Sequence, residues 1–163
     1  MRSLLVAVLL LGAVACEKSV PAPPVKRASL NRTGGTTFEI VPAPGQHPYC
    51  LAFTVSGSGL TRQLTMSRSN QSFECTGGQP LGGHAFKAPL SEGPTRVYVF
   101  FTSQPVNAAS ISQQLLEAPD RNAVSLMNMR IPGQAALETL QFVPAEDVAP
   151  EVGTLVEPDA GTP

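Results

Sequence analysis

Residues 96–102 read Arg-Val-Tyr-Val-Phe-Phe-Thr, and this stretch decides the fold class. In a β-strand, successive side chains point to opposite faces of the sheet. The apolar side chains here divide between two faces, with Val97, Val99 and Phe101 on one and Tyr98 and Phe100 on the other. Because both faces are apolar, each needs cover from another layer. The stretch therefore predicts a central strand with a second sheet, or a helix, packed over the Tyr98 face.

Shorter stretches with the same alternation lie on both sides of this strand. They are separated by turns rich in glycine, such as Ser56-Gly57-Ser58-Gly59, and this spacing is typical of antiparallel sheets. The apolar positions that mark these strands are Phe38, Ile40, Leu51, Phe53, Val55, Leu64, Met66, Phe86, Leu140 and Phe142. The sequence therefore predicts a mainly β domain over residues 35–144, built as an antiparallel β-sandwich.

One or two short helices are predicted after the strand at 96–102. For the first, Ser103 is the predicted N-cap and Pro105 suits the first turn, while Pro119 ends the run. The apolar positions near one face of this helix are Val106, Ile111 and Leu115.

The second predicted helix begins with Asp120 as its cap and ends at Pro132-Gly133. The residues spaced to pack inward are Val124, Met127 and Ile131. Met127 and Met129 form a pair that would also suit a soft metal, but methionine fills irregular gaps in cores, so packing is the favoured interpretation.

The first fifteen residues have the pattern of a secretory signal peptide. Met1-Arg2-Ser3 carries one positive charge, and residues 4–15 are apolar apart from Gly12. As a helix this run would span roughly 18 Å, which is short of the ~30 Å hydrocarbon core of a membrane. The pattern predicts that residues 1–15 are removed on export.

The segment Ala13-Val14-Ala15-Cys16 resembles the lipobox of bacterial lipoproteins, with Ala13 where leucine is usual. The resemblance implies that Cys16 begins the mature chain, with a diacylglyceryl group on its sulfur and usually an acyl chain on its amino group. Two or more chains give stable anchoring, whereas one binds reversibly. Glu17, rather than an aspartate, favours the outer membrane over the inner membrane of the cell envelope. The alternative is ordinary secretion after Ala15, with Cys16 a free thiol.

The segments that flank the predicted domain are rich in proline. Residues 16–34 contain three prolines and lack apolar periodicity, so they are predicted to form an extended tether. Residues 145–163 contain five acids and no basic residue, and they are predicted to be a disordered acidic tail.

With Cys16 lipidated, Cys50 and Cys75 remain, and two cysteines in an exported domain predict a disulfide. A metal site would need further ligands, and the two histidines, His47 and His84, stand at irregular spacing. The disulfide is therefore the favoured interpretation, and the sequence predicts no metal and no cofactor.

Composition and motifs bear on which classes of function the chain can have. Net charge is −1 and the largest basic cluster is the Lys26-Arg27 pair, whereas nucleic-acid binding needs a basic face. The serine of Gly57-Ser58-Gly59 lacks the Gly-x-Ser-x-Gly pattern of a nucleophile elbow. The sequence therefore predicts a non-enzymatic interaction or structural domain, held to the membrane through Cys16 and facing an envelope protein partner. The alternative is an envelope hydrolase whose active site the sequence does not reveal.

The stretch from Tyr49 to Ala109 resembles a bacterial envelope β domain of unknown function. The matching positions are 51–55, Gly57-Ser58-Gly59, Gln63-Leu64, Asn70, Gly78-Gln79-Pro80, 85–89 and 93–105. These are strand and turn positions, so the resemblance implies a β-sandwich and carries over no catalytic residue. Cys50 and Cys75 depart from the family pattern.

Overall fold

The computed structural model describes residues 25–65 and 67–147. The predicted signal peptide, Cys16, Met66 and residues 148–163 lie outside the described residues. The strands are β1 (Ala28–Arg32), β2 (Thr37–Pro42), β3 (Tyr49–Ser56), β4 (Thr61–Gln63), β5 (Phe73–Glu74), β6 (Phe86–Lys87), β7 (Thr95–Thr102) and β8 (Ala135–Phe142). The helix α1 spans Ala108–Glu117, and short 3-10 turns span Leu81–Gly83, Leu90–Glu92 and Leu126–Asn128.

The strands form two antiparallel sheets. The smaller sheet has the order β1-β2-β6, and the larger has the order β4-β3-β7-β8, with β5 pairing with the start of β3. Apolar residues of both sheets share one buried cluster, so the sheets pack face to face. The predicted fold class, a mainly β antiparallel sandwich with one or two short helices, is confirmed.

The pair β3 and β7 forms the centre of the larger sheet. The two strands pair over eight residues, from Tyr49 opposite Thr102 to Ser56 opposite Thr95. Val97, Val99 and Phe101 face the smaller sheet, as the alternation predicts. On the opposite face, the buried cluster contains Leu51, Phe53, Val55, Tyr98 and Phe100 together with Ile111 and Leu115 of α1. The sequence did not decide whether a sheet or a helix covers Tyr98. In the structure a helix covers it, and this helix forms a third layer.

The helix α1 begins later than predicted. Asn107 is its N-cap, and the Asn107 side chain accepts hydrogen bonds from the backbone N–H groups of Ala109 and Ser110 at 2.9 and 3.3 Å. The prediction of Ser103 as the cap is wrong, because its hydroxyl accepts instead from the backbone N–H of Gln134 at 2.9 Å. That bond is between residues far apart in sequence, and it keeps the chain after β7 out of the helix.

The prediction of a second helix is wrong. Between Asp120 and Ile131 only the single 3-10 turn Leu126–Asn128 is helical, with the Ser125 side chain accepting from the Met127 N–H. Met127 is 94% exposed and does not pack inward, whereas Met129 packs against the cluster beneath α1. The reason is that hydrogen bonds from Tyr98 and Gln114, which are distant in sequence, hold this segment in an irregular path.

Both boundaries of the folded part differ from the prediction. Strand β1 lies inside residues 16–34, so the assignment of residues 28–32 to the tether is wrong. Ala28, at the start of β1, is buried, and the strand pairs with β2 along its whole length. At the other end, Ala145 donates to the Gly35 carbonyl at 2.8 Å and Asp147 accepts from the Gly35 N–H, so residues 145–147 also contact the domain.

One predicted strand is displaced. Leu64 and Met66 mark it in the sequence, but β4 ends at Gln63. Leu64 instead packs beside the cluster between the sheets, and the buried Thr65 hydroxyl accepts from the Ala52 N–H at 3.0 Å. The Leu64 N–H still donates to the Ala52 carbonyl at 2.9 Å, so the side-chain bond replaces only one of the two backbone hydrogen bonds that would continue the ladder between β3 and β4.

The packing of α1 predicts a contrast between neighbouring leucines. Leu115 is fully buried against the larger sheet, whereas Leu116 is 48% exposed. Leu115→Ala should lower the free energy of unfolding by about 2–5 kcal/mol, because it removes buried methyl groups and leaves a cavity. Leu116→Ala is the matched control and should change the free energy by less than about 0.5 kcal/mol. Urea denaturation measures both, and equal losses would contradict the three-layer packing.

Candidate functional site

Cys16, the predicted site of lipidation, lies outside the described residues, so the anchor stays a prediction. No helix within the described ranges has the length and hydropathy needed to cross a membrane.

Cys50 and Cys75 lie at disulfide distance, as the sequence predicts. Their Cα atoms are 5.8 Å apart, which is within the usual range for a bonded pair. Cys50 is fully buried in β3, while Cys75 is half-buried just after β5 and donates its backbone N–H to the Pro48 carbonyl at 2.8 Å. The pair joins the start of the central strand to the chain that leaves the short strand beside it.

The two histidines lie apart from the other groups that catalysis would need. His47 is half-buried in the loop between β2 and β3, and its carbonyl oxygen lies 4.0 Å from the Cys75 sulfur. The His84 ring packs against Phe86, with 4.8 Å between the ring centroids, and its Nδ1 lies 2.8 Å from the Gly82 carbonyl oxygen. Among residues 25–65 and 67–147, no group of three His, Cys, Asp or Glu side chains is placed to hold a metal.

A groove of about 470 Å³ runs beside the end of α1, and we call it the helix groove. One wall is the last turns of α1, and the other is the segment that was wrongly predicted to be a second helix. The lining residues are Gln114, Glu117, Ala118, Pro119, Asp120, Ala123, Val124, Ser125, Asn128, Met129 and Arg130. They combine carboxylates, a guanidinium and amides with a partly apolar floor. This combination suits the binding of a segment or small ligand that has both apolar and polar parts.

Gln114 sets the width of the helix groove by joining its two walls. Its side-chain amide donates to the Arg130 carbonyl at 3.2 Å, and its side-chain oxygen accepts from the Arg130 N–H at 2.5 Å. A single glutamine side chain thus satisfies both backbone groups of Arg130, as a strand partner would. The groove is therefore preformed by contacts between its own walls.

Tyr98, on the larger sheet, also holds the wall of the helix groove that faces α1. Its hydroxyl donates to the Arg121 carbonyl at 2.9 Å. Burial raises the pKa of Tyr98, and Asp120 adds to the rise, while a backbone hydrogen bond and Arg96 act in the opposite direction. The protonated phenol is therefore favoured, and it keeps the donor that holds the segment onto the sheet.

Comparison with family models, with curated proteins and with solved structures finds no match to this chain. The resemblance of residues 49–109 to an envelope domain therefore stays a prediction, and the fold is known from the structure itself.

Sequence patterns did not reveal the helix groove. Gln114 and Arg130 lie sixteen positions apart, and their contact depends on the irregular path of residues 118–130. Proline at position 119 was the only local signal, since it ends a helix and permits such a path.

The geometry of the cysteine pair predicts a large loss of stability on reduction. A closed loop with a sequence separation of 25 stabilises a domain by roughly 3–4 kcal/mol on the chain-entropy model. The double substitution Cys50→Ala and Cys75→Ala should lower the free energy of unfolding by about that amount, measured in urea. Reducing agent should destabilise the wild-type domain but leave the double variant unchanged. Mass spectrometry of the unreduced protein that found free thiols at both positions would contradict the pairing.

Proposed function

We propose that this chain is a lipid-anchored protein of the bacterial cell envelope whose sandwich acts as a non-enzymatic interaction or structural domain. The observation that carries the proposal is the segment Ala13-Val14-Ala15-Cys16 directly after an apolar leader. The tether and domain would then lie outside the cytoplasm, at the membrane that receives the lipid. Glu17 favours the outer membrane.

The cysteine pair supports export. Disulfides persist in oxidising compartments such as the periplasm and are rare in the cytosol. Cys50 and Cys75 lie at disulfide distance in a domain whose two sheets are otherwise held together by apolar packing. A disulfide in this position suits a small domain that works outside the cytoplasm.

The helix groove is the surface that we propose for a protein partner in the envelope. Part of its lining is apolar, since it includes the side chains of Val124 and Met129, which are half-buried. Arg130 adds a cation at the rim, and arginine and methionine are both enriched in protein interfaces. A partner would therefore bury an apolar side chain in the groove and place an acidic group near Arg130.

The second candidate, an envelope hydrolase, would use the same groove. Its lining contains Ser125 together with the carboxylates of Glu117 and Asp120. A serine nucleophile needs an adjacent base oriented by a third group, and the usual base, histidine, lies elsewhere at positions 47 and 84. This placement favours binding over hydrolysis.

The anchor predicts a change in cell fractionation. Cys16→Ser removes the sulfur that would carry the lipid, so the protein should move from the membrane fraction to the soluble fraction. Glu17→Asp is the matched control, because it keeps the cysteine and should leave the protein in the membrane fraction while favouring the inner membrane. Immunoblotting of separated membranes measures both, and a Cys16→Ser protein that still sediments with membranes would overturn the anchor.

The interaction surface predicts a position-dependent crosslink. A photoreactive amino acid at Asn128, which lines the helix groove and is exposed, should form a crosslink to one defined envelope protein. The same group at Ser91, which is exposed in the 3-10 turn Leu90–Glu92, is the control and should not form that product. Equal products from both positions, or none from Asn128, would count against the groove as the binding surface.

A further inference from the structure

The longest free sheet edge among the described residues belongs to β8. This strand has eight residues and pairs with β7 along its whole length, and no other described strand pairs with it. At about 3.3 Å per residue it runs for about 26 Å. An edge strand presents unpaired N–H and C=O groups, which another chain can use to pair with it.

The ladder between β7 and β8 shows which backbone groups point outward. Just past the ladder, the Ser103 N–H donates to the Gln134 carbonyl at 2.9 Å. Bonded and non-bonded pairs alternate along an antiparallel ladder, and the register here runs without a break. The residues whose N–H and C=O groups point away from β7 are therefore Ala135, Leu137, Thr139 and Gln141. No hydrogen bond from residues 25–65 or 67–147 reaches these backbone groups.

The other edges of the two sheets are protected against pairing. Strand β4 has three residues with the exposed Arg62 at its centre, and β6 has two residues, one of which is the exposed Lys87. Strand β1 has five residues and contacts β8. Short strands, exposed cations and cover by a neighbouring strand all hinder pairing with another molecule. In contrast, β8 is long and contains no proline, lysine or arginine.

The one charged residue of β8, Glu138, does not block its edge. Its side chain lies on the face toward the smaller sheet, where Ala136 and Leu140 pack against the cluster between the sheets. A charge on an edge strand hinders pairing when the added strand would bury it without a partner. The Glu138 carboxylate already accepts from the Arg27 N–H at 2.8 Å, so an added strand would leave it bonded.

An open trough of about 640 Å³ lies along this edge, and we call it the edge trough. One side is formed by residues 137–141 of β8, and the other by residues 25–27, which lead into β1. The charged residues of its lining are Lys26, Arg27 and Glu138, and Lys26 is exposed. Because the only acid among them is already bonded, the edge trough has a net positive charge that favours an acidic occupant.

The charges next to the edge trough agree with this preference. Arg96 of β7 pairs with Gln141 and is exposed, so it adds a cation on the face of the sheet that α1 covers. The acids Glu146 and Asp147 lie beyond the end of β8, where the Asp147 carboxylate accepts from the Gly35 N–H. They are therefore not part of the lining.

A second copy of this chain suits the edge poorly. Two copies of β8 that bonded through all four outward residues would pair around Glu138. That register sets Glu138 directly opposite Glu138 of the second copy, and like charges directly opposite each other destabilise a strand pair. It would also bring together two walls that each carry Lys26 and Arg27.

We propose that the edge of β8 binds an extended acidic segment of a partner protein, which adds to the larger sheet as a further strand. In this mode of recognition, main-chain hydrogen bonds give affinity and alternate side chains give specificity. The outward groups of residues 135–141 would bond to the backbone of the segment, and an acidic side chain would lie near Lys26. The surface is separate from the helix groove and from Cys16, so the inference does not rest on either.

A preformed strand is the sharpest probe of this edge. The probe is a fluorescent cyclic β-hairpin whose free edge displays Thr-Val-Thr-Glu-Thr-Val-Thr, since a preorganised strand avoids the entropy cost of ordering. It is titrated with the full chain in mild detergent, with Cys50–Cys75 left unreduced, and binding is followed by fluorescence anisotropy. The matched hairpin with lysine in place of glutamate should bind about fivefold more weakly.

A second hairpin tests whether the backbone makes the contact. It keeps the acidic sequence but carries N-methyl groups on the alternate residues whose N–H points away from the hairpin. These groups remove the donors that would face β8, while the bonds inside the hairpin remain. We expect about tenfold weaker binding or less, because several main-chain hydrogen bonds are lost.

Variants of the protein place the contact on β8. Thr139→Pro removes an outward N–H at the middle of the edge without removing a bond to β7, so the domain should fold and bind the acidic hairpin about tenfold more weakly. Thr139→Val keeps the N–H and should bind as the wild type does. Lys26→Glu should weaken the acidic hairpin and strengthen the lysine hairpin.

The hairpin comparison uses the wild-type chain, so it decides the matter even if Thr139→Pro fails to fold. Equal affinity for the acidic hairpin and its N-methylated form, or no binding at about 1 mM hairpin, would overturn strand addition. Equal affinity for the acidic and lysine hairpins would overturn the acidic occupant. A wild-type dimer in sedimentation that becomes a monomer with Thr139→Pro would assign the edge to a second copy and overturn the proposal.

Discussion

The pairing of β3 with β7 is the interaction on which the rest of the structure depends. Their eight-residue ladder is buried on both faces, so no surface of its central residues is left to water. A strand pair of this kind is stable only between two apolar layers. The smaller sheet covers one face and α1 the other, which makes the domain a sandwich with an added helical layer.

The layers that cover the two faces of the larger sheet are held in place in different ways. The smaller sheet is joined to the larger one at its edge, where Arg32 holds β1 to the end of β8 through Phe142 and Val143. The helical layer is held by Tyr98, whose hydroxyl reaches the Arg121 carbonyl, and by Gln114, which binds the backbone of Arg130. The backbone that Tyr98 and Gln114 hold is irregular and is not paired with a strand. The helix groove exists because the segment facing α1 is irregular.

The proposed function follows from the same asymmetry. The sheets give a rigid body, and the helical layer gives a preformed groove on its side. In the proposed function, a lipid anchor at Cys16 would hold the domain near the membrane, and the helix groove would bind the partner. In this proposal, placement at the membrane and partner binding would use separate parts of the chain.

The sequence by itself determined the strands that carry strong alternation, the helix after β7 and the cysteine pair. Strand period, a proline stop and the number of cysteines are local or compositional signals. It missed β1, whose apolar alternation covers only Ala28 and Leu30, and it placed a helix where Met127 is exposed. Only the tertiary structure decided these points. Pairing with β2 makes β1 a strand, and hydrogen bonds from Tyr98 and Gln114 hold the segment after α1 in an irregular path. Sequence patterns miss the second effect because Tyr98 and Gln114 are distant in sequence from the residues that they hold.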